Sequence, residues 1–162
     1  MINPRAETFS PKPAYRNTFK HRRCLISAEG FYECQAGQGG NTPFLTRCKD
    51  NDPFAISGLQ ERWPDADGAA LQSCSVSVTE ANPLVRWVHN RMPVILARED
   101  DANWLDPDNR DTDGLLAVLR STDPQSRTLH PMSRQVSNAS NDAPELPEAV
   151  AALPADAPGI EW

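Results

Sequence analysis

The chain has 162 residues, of which 39% are hydrophobic, and it carries a net charge of −6. This length accommodates one domain with a hydrophobic core and is too short to predict two. No segment approaches the ~18 consecutive apolar residues of a membrane-spanning helix, and the amino terminus lacks the apolar centre of a secretion signal. We therefore expect a cytoplasmic protein without a membrane partner.

Charge is distributed unevenly along the chain. Residues 1–23 contain six basic residues and one acidic residue, whereas the remainder contains ten basic and 21 acidic residues. The net negative charge argues against general nucleic-acid affinity, but the basic amino-terminal segment is compatible with local contact to phosphates. A solvated basic helix explains the same pattern equally well.

The first half of the chain predicts one helix followed by β-strands. Tyr15 and Phe19 lie four positions apart behind Pro13, which predicts a short helix over residues 13–20. Gly58 interrupts a predicted strand, and we expect a β-bulge there. Strands are predicted at Cys24–Ser27, Phe31–Gln35, Pro43–Cys48, Phe54–Trp63 and Leu71–Thr79.

In the last of these strands, Cys74, Val76 and Val78 alternate with serine and threonine, which predicts one buried face and one solvated face. Asn82 and Pro83 then predict the N-cap and first position of a short helix. A strand at Met92–Leu96 and helices at Glu99–Leu105 and Thr112–Arg120 complete the predicted elements.

Together, these elements predict an α+β fold with a curved, mainly antiparallel, barrel-like sheet and short flanking helices. We expect one domain over residues 1–146. Residues 147–162 are rich in proline, alanine and acidic residues, and we expect a poorly ordered tail there.

The four cysteines, Cys24, Cys34, Cys48 and Cys74, show no C-x-x-C spacing. Because that spacing is typical of zinc sites, the sequence predicts no metal site, and we expect no cofactor. Nothing in the sequence indicates secretion, so we expect most of these cysteines to be reduced and buried.

Glu33 and His89 are candidates for acid–base chemistry. Glu33 follows two aromatic residues in a predicted strand, and partial desolvation there would raise its pKa toward the range of a general acid. His89 lies between a predicted helix and an apolar strand, where an imidazole that titrates near neutrality can face a cleft. The alternatives are an exposed strand glutamate and a structural histidine.

Asn3 and Arg5 flank Pro4 near the amino terminus. An arginine can hold a phosphate through two parallel hydrogen bonds, and an asparagine can orient a carbonyl or a base edge. Chain termini are commonly disordered, so a structureless terminus is the alternative for this pair.

Several sequence blocks follow one another in a fixed order. They are N-P-R-A-E-T from Asn3, R-R-C-L-I-S-A-E-G-F-Y-E, F-A-I-S-G-L-Q-E-R-W, S-V-T-E-A-N, H-N-R-M-P-V-I-L and V-S-N-A-S-N-D-A-P-E-L. Taken together, they closely resemble the SRAP family of SOS-response-associated peptidase domains. This family includes bacterial and eukaryotic proteins that shield abasic sites in single-stranded DNA. The resemblance spans about Asn3 to Leu146.

The resemblance implies a monomeric protein that binds single-stranded DNA and shields abasic sites through a DNA–protein crosslink, with autopeptidase activity at its amino terminus. Family members begin with Met-Cys-Gly-Arg, and the exposed cysteine forms a thiazolidine with the ring-opened sugar. By resemblance, Asn3 orients that cysteine and the sugar, Glu33 shuttles protons, and His89 assists ring opening and Schiff-base chemistry. Arg5 and Arg91 would hold flanking phosphates.

Two features depart from the family pattern. The sequence starts at the Asn3 motif, so we expect a copy that lacks the cysteine nucleophile and does not form the thiazolidine. Cys34 stands where the family usually has a tryptophan, so we expect weaker stacking on bases.

Two alternatives to a crosslinking protein stay open. One is a degenerate, non-catalytic remnant that binds single-stranded DNA weakly. The other is a thiol hydrolase built on Cys34 and His89. Strand alternation places Glu33 and Cys34 on opposite faces of the sheet, which argues against the hydrolase.

Overall fold

The structure is a computed structural model that describes residues 3–9, 13–37, 40–64, 67–143 and 146. The predicted tail, residues 147–162, lies outside the described residues, and the single domain over residues 1–146 stays a prediction. Contacts within the chain group it into two compact units. Unit 1 comprises Met1–Ala28, Phe54–Glu80 and Met92–Thr122, and unit 2 comprises Glu29–Pro53, Ala81–Arg91 and Asp123–Trp162.

The described residues form short helices and longer strands, which confirms the α+β class. The α-helices are Pro13–His21 (α1), Pro83–Arg86 (α2), Asp101–Leu105 (α3) and Thr112–Ala117 (α4). The strands are Arg23–Ala28 (β1), Gly30–Gln35 (β2), Thr42–Cys48 (β3), Phe54–Pro64 (β4), Ala70–Val76 (β5), Val78–Glu80 (β6), Arg91–Pro93 (β7) and Arg127–Pro131 (β8).

The strands within the described residues form separate sheets and not one closed barrel. Two three-stranded antiparallel sheets have the orders β1-β4-β5 and β2-β3-β8, and β6 and β7 form a two-stranded sheet. The predicted strand over Met92–Leu96 is shorter, since β7 ends at Pro93 and only an isolated bridge joins Ile95 to Ile56.

In unit 1, helices α1, α3 and α4 contribute to one hydrophobic core with the β1-β4-β5 sheet. Its centre is aromatic: Phe19 lies 5.3 Å from Phe9 and 6.0 Å from Trp104, measured between ring centroids. Other buried members of this cluster are Ala6, Leu59, Val94, Leu96, Leu115 and Leu119.

A bulge at Gly58 was the wrong expectation. The register continues through this residue, which pairs with Cys24 on one side and Val76 on the other. A Cβ atom at Gly58 would lie 2.9 Å from the Cys24 Sγ and 3.0 Å from the Ile26 Cδ1. The glycine therefore serves close packing of neighbouring side chains and not a change of strand direction.

The alternation predicted from Leu71 to Thr79 is also wrong at its carboxyl end. The strand breaks at Ser77, whose N–H donates to Ser57 O over 3.0 Å and whose carbonyl accepts from Val94 N–H over 2.9 Å. These bonds draw Ser77 into the interior, where it is fully buried, while Cys74 is exposed. The hydroxyl residues therefore face inward after the break, opposite to the prediction.

The cysteines are free thiols, but they are less buried than predicted. Cys34 and Cys74 are exposed, and Cys24 and Cys48 are half-buried. Among the described residues, no group of three or more His, Cys, Asp or Glu side chains is placed to hold a metal ion. The described helices include none that is both long and apolar enough to span a membrane.

Candidate functional site

Strand β2 presents Glu33 on the face of the unit 2 sheet that carries the core. Glu33 pairs with Phe44 on β3, and Phe44 pairs with Pro131 on β8. Directly opposed residues of antiparallel strands share a face, so Glu33 lies on the same face as the buried Phe44. The Glu33 side chain therefore starts from the apolar face of the sheet.

Helix α2 covers this face, and it begins at Pro83 as predicted. The Asn82 Oδ1 accepts the Val85 N–H over 2.9 Å and caps the helix, and Pro83 occupies the first turn. Leu84 and Val88 pack with Phe44 and Leu129 in the core of unit 2. The Trp87 ring meets the Phe44 ring edge-on, with centroids 5.3 Å apart.

His89 follows this helix and reaches Glu33. The backbone N–H of His89 donates to Val85 O over 2.9 Å, which continues the helical turn. The His89 Nδ1 lies 3.7 Å from the Glu33 Oε2, and the side chains are 45% and 27% exposed, respectively. The two predicted acid–base residues therefore form a half-buried pair at the surface of unit 2.

Burial changes the ionisation of Glu33. Desolvation raises the pKa of the Glu33 carboxyl, and the opposing influences are the charge of His89 and a hydrogen bond from the Cys34 backbone. The desolvation effect exceeds the other two, so the carboxyl holds its proton to higher pH than an exposed glutamate. A carboxyl of this kind can donate a proton nearer to neutral pH.

The main chain of Arg91 fixes the orientation of the imidazole. The His89 Nδ1 lies 3.2 Å from the Arg91 N–H nitrogen and 3.1 Å from the Arg91 carbonyl oxygen. A neutral ring protonated on Nε2 accepts the Arg91 N–H at Nδ1, whereas a neutral ring protonated on Nδ1 donates to the Arg91 carbonyl and leaves Nε2 free to accept a proton. A doubly protonated ring donates from Nδ1 to the carbonyl or to Glu33. Nε2 has no hydrogen-bond partner in the part of the chain that the structure describes, so it is the ring atom left for a ligand.

Sequence reasoning missed Gln35, which also belongs to this arrangement. Its Nε2 donates to the Trp87 carbonyl over 2.8 Å. The signal that would have found it is strand alternation, because Gln35 follows Glu33 by two positions and shares its face.

The N-P-R-A-E-T motif is ordered and belongs to unit 1. The buried Pro4 accepts the Val78 N–H at its carbonyl over 3.0 Å, and Ala6 is also buried. Asn3 and Arg5 alternate with these two residues and are exposed. The Arg5 carbonyl accepts both the N–H and the hydroxyl of Thr8 over 2.9 Å, which holds the motif in a tight turn.

The structure thus brings three of the five predicted site residues together within one unit. Glu33, His89 and the main chain of Arg91 meet in unit 2, where the half-buried Arg91 begins β7. Asn3 and Arg5 lie in unit 1.

Cys34 does not join the pair. It lies opposite Pro43 in the β2–β3 register, and alternation directs its side chain to the face away from Glu33. Since His89 approaches the Glu33 face, the geometry gives no support to a thiol hydrolase that uses Cys34 and His89.

Comparison with known proteins places this arrangement in a family. The family model of the SOS response associated peptidase (SRAP) matches residues 1–139. The abasic site processing protein YoqW of Bacillus subtilis is 37% identical over 150 residues, which cover 92% of this chain and 67% of that protein. The abasic site processing protein HMCES of Xenopus tropicalis is 28% identical over 168 residues, which cover 91% of this chain and 50% of that protein.

A solved structure agrees with these sequence matches. The crystal structure of a protein from Bacteroides thetaiotaomicron superimposes with a TM-score of 0.82 at 25% identity, covering 91% of this chain and 66% of that one. The chain therefore spans about two thirds of YoqW and of this structure, and about half of HMCES. On the match over most of its length, the chain belongs to the SOS response associated peptidase (SRAP) family.

Proposed function

We propose that this chain binds abasic sites in single-stranded DNA, and that Glu33 and His89 carry the proton transfers of abasic-site processing when a family Cys-Gly-Arg opening supplies the nucleophile. The observation that supports this most directly is the 3.7 Å separation between the His89 Nδ1 and a glutamate whose pKa is raised by burial. Relatives that match over most of the chain are named abasic site processing proteins.

The chemistry of an abasic sugar needs such a pair. The ring-opened sugar presents an aldehyde, and attack by an amine forms a C–N bond and a carbinolamine hydroxyl. Glu33 in its protonated form gives its proton to that hydroxyl, which leaves as water. His89, whose own proton is then on Nδ1, takes the remaining proton from nitrogen at Nε2, and a neutral Schiff base results. A thiol that adds across the C=N bond then closes the thiazolidine and leaves its proton on nitrogen.

The contact between the Glu33 and His89 side chains would let a proton return from His89 to Glu33 after the reaction. After the dehydration step, Glu33 is ionised and His89 is protonated. The protonated Nδ1 faces the Glu33 Oε2 at 3.7 Å, so a small ring movement returns a proton to the carboxylate. The same pair would serve an autopeptidase reaction at the amino terminus, in which His89 takes a proton from the water that attacks the amide carbonyl and Glu33 gives its proton to the leaving amine.

The remaining predicted residues would bind the DNA strand. Arg5 is exposed at a fixed turn, and the described residues offer no hydrogen bond or ion pair to its guanidinium group, so it is available for a phosphate. Arg91 would hold a second phosphate, and Asn3 would orient the sugar. Single-stranded DNA binds along positively charged grooves, and a few basic side chains can form one locally on a protein whose net charge is negative.

Gel electrophoresis of the protein with labelled single-stranded DNA tests the proposal. Two protein forms are compared. One is the 162-residue chain, and the other is an extended form that carries a Cys-Gly-Arg opening segment from a family relative. We expect the extended form to give a band that survives denaturation with abasic DNA and not with intact DNA of the same sequence. We expect the 162-residue chain to give only a salt-sensitive band on native gels.

Other outcomes distinguish the alternatives. If the extended form shows native binding without a denaturation-resistant band, the chain is a non-catalytic DNA-binding remnant. If neither form binds abasic DNA more tightly than intact DNA, the proposed function is wrong.

A further inference from the structure

Gln35 and Trp87 link the strand that carries Glu33 to the turn that carries His89. The Gln35 Nε2 donates to the Trp87 carbonyl over 2.8 Å, in a partly buried setting. Gln35 ends β2, two residues after Glu33, and Trp87 lies two residues before His89. The Gln35–Trp87 hydrogen bond therefore joins the same two segments as the Glu33–His89 pair. It lies two residues after Glu33 on β2 and two residues before His89.

Helix α2 cannot hold its own carboxyl end in place. It spans only Pro83–Arg86, and so short a helix has too few internal hydrogen bonds to be stable without contacts to its surroundings. Among the described residues, Val88 packs on Phe44 and Leu129 at this end. Two further contacts with the sheet are the Gln35 hydrogen bond and the edge-on packing of Trp87 on Phe44. Phe44 is the direct cross-strand partner of Glu33.

The two contacts restrain different movements. The ring contact between Trp87 and Phe44 sets how closely the helix packs on the sheet, but ring packing permits sliding. A hydrogen bond of 2.8 Å fixes direction as well as distance, because it weakens steeply when the donor angle changes. Loss of the bond would let the turn slide along the sheet and carry the imidazole away from the carboxylate.

We propose that Gln35 is a positioning residue that sets the distance between the turn that carries His89 and the side chain of Glu33. Its importance for catalysis rests on the proposed function, whereas its control of the Glu33–His89 coupling does not. Its hydrogen bond goes to the Trp87 carbonyl and not to either of the two side chains, so it acts through the main chain of the turn.

The coupling is measured by NMR titration of the Glu33 carboxyl carbon in the full chain. The charge of His89 lowers the pKa of Glu33, so His89→Gln raises this pKa in the wild-type background. We expect most of that rise to vanish in the Gln35→Met background, since His89 no longer stays close. Gln35→Lys keeps an N–H donor of similar reach and should restore the response.

A control and a second variant protect this reading. Gln72 is an exposed strand glutamine in unit 1, and Gln72→Met should leave the coupling unchanged. If Gln35→Met does not fold, Gln35→Asn keeps an amide that is one methylene too short to reach Trp87 and is tested in its place. If His89→Gln shifts the Glu33 pKa equally with and without the Gln35 donor, the proposal is wrong.

A kinetic measurement adds the catalytic consequence. In the extended form, Gln35→Met should slow covalent capture at saturating abasic DNA by about tenfold or more, while the Kd for intact single-stranded DNA stays the same. If the wild-type extended form captures no DNA, the proposed function fails and the titration still decides the role of Gln35. A change in Kd alone, with normal capture and normal coupling, overturns the positioning role.

Discussion

The imidazole of His89 lies beside the carboxyl of Glu33, with 3.7 Å between Nδ1 and Oε2. In sequence the two residues are separated by β3, β4, β5, β6 and α2. Helix α2 and strand β2 create this relationship by packing on one face of the unit 2 sheet. Burial raises the pKa of Glu33 at that face while His89 opposes the rise. The pair therefore combines a carboxyl whose pKa is raised by burial with a neighbouring imidazole.

Replacement of Glu33 by glutamine should separate activity from stability. We expect Glu33→Gln to reduce the rate of covalent capture by about 10²-fold or more in the extended form, because no general acid is left at this position. The measurement is the single-turnover rate at saturating abasic DNA. Glu29→Gln is the matched control, since Glu29 is an exposed residue just before β2.

The stability effect of the same variant depends on pH. The pKa of Glu33 is higher in the folded chain than the value of about 4.3 for an unfolded glutamate. The folded state then binds this proton more tightly, so the contribution of Glu33 to stability is present below pH ~4 and is lost as the pH rises through the folded pKa. Urea unfolding at pH 7 should show Glu33→Gln to be as stable as the wild type or more so. A clear loss of stability at pH 7 would contradict the sign of this shift.

Replacement of His89 tests the other member of the pair. We expect His89→Gln to lower the capture rate by about 10²-fold and to raise the pKa of Glu33 further, since a nearby positive charge is removed. Because Glu33 acts in its protonated form, the high-pH limb of the pH–rate profile should move to higher pH by the same amount as the Glu33 NMR titration. His21→Gln, an exposed histidine at the end of α1, is the control. Unequal shifts in the two measurements would show that Glu33 is not the titrating acid.

Arg5 should contribute to DNA binding through charge alone. We expect Arg5→Gln to weaken binding of intact single-stranded DNA and to reduce the slope of log K against log salt by about 0.7, the value for one phosphate contact. Titrations between low and moderate salt measure this slope. Arg120→Gln is the control, because Arg120 is exposed and its side chain already donates to the Ala117 carbonyl. An unchanged slope for Arg5→Gln would place the DNA elsewhere.

Local sequence signals predicted many of the helices and strands, because caps, helix starts and turns depend on residues that are neighbours in the chain. Asn82 followed by Pro83 predicted the cap and start of α2, and the capping hydrogen bond is present. The alternation from Cys74 to Val78 misled because it does not reveal the break at Ser77, which depends on bonds to Ser57 and Val94 from distant strands. Such cross-strand pairings are set by register, which the strand's own sequence does not contain.

The candidate site was predicted only through the order of motifs. Neither the spacing of Glu33 and His89 nor their residue types indicates that they meet, and the family resemblance supplied that expectation. Gln35 was missed because its partner is a main-chain carbonyl, which any residue type supplies equally.

Gly30, the first residue of the G-F-Y-E motif, should be required for strand pairing. A Cβ atom at this position would lie 2.8 Å from the Leu45 Cδ1 and 2.9 Å from the Thr46 carbonyl oxygen. Because the backbone oxygen cannot move without disturbing the β2–β3 register, we expect Gly30→Ala to lower the free energy of unfolding by about 1–3 kcal/mol. Chemical unfolding measures this loss. Gly37→Ala is the control, since its nearest contact, the Gly40 carbonyl oxygen, is at 3.4 Å.

Arg23 should be the most important charged residue for the stability of unit 1. Its buried guanidinium group donates to the carbonyls of Trp104, over 2.6 Å, and of Phe19 and Lys20, over 2.8 Å each, and also to Asp106. These bonds satisfy the carboxyl ends of α1 and α3, whose last carbonyls have no partners within their helices. Burial is the main reason why the pKa of Arg23 is lowered, so the charge is held by hydrogen bonds and not by solvent.

Removal of this group leaves several partly buried carbonyls without donors. Hydrogen bonds from a charged group contribute about 1.5–3 kcal/mol each, and they are not additive, so we expect Arg23→Met to cost about 3 kcal/mol or more. Chemical unfolding followed by tryptophan fluorescence measures this, because Trp104 lies against Arg23. Arg62→Met, at an exposed position of β4, should change stability by less than about 0.5 kcal/mol. If both variants lose stability equally, net charge and not the buried hydrogen bonds explains the effect of Arg23.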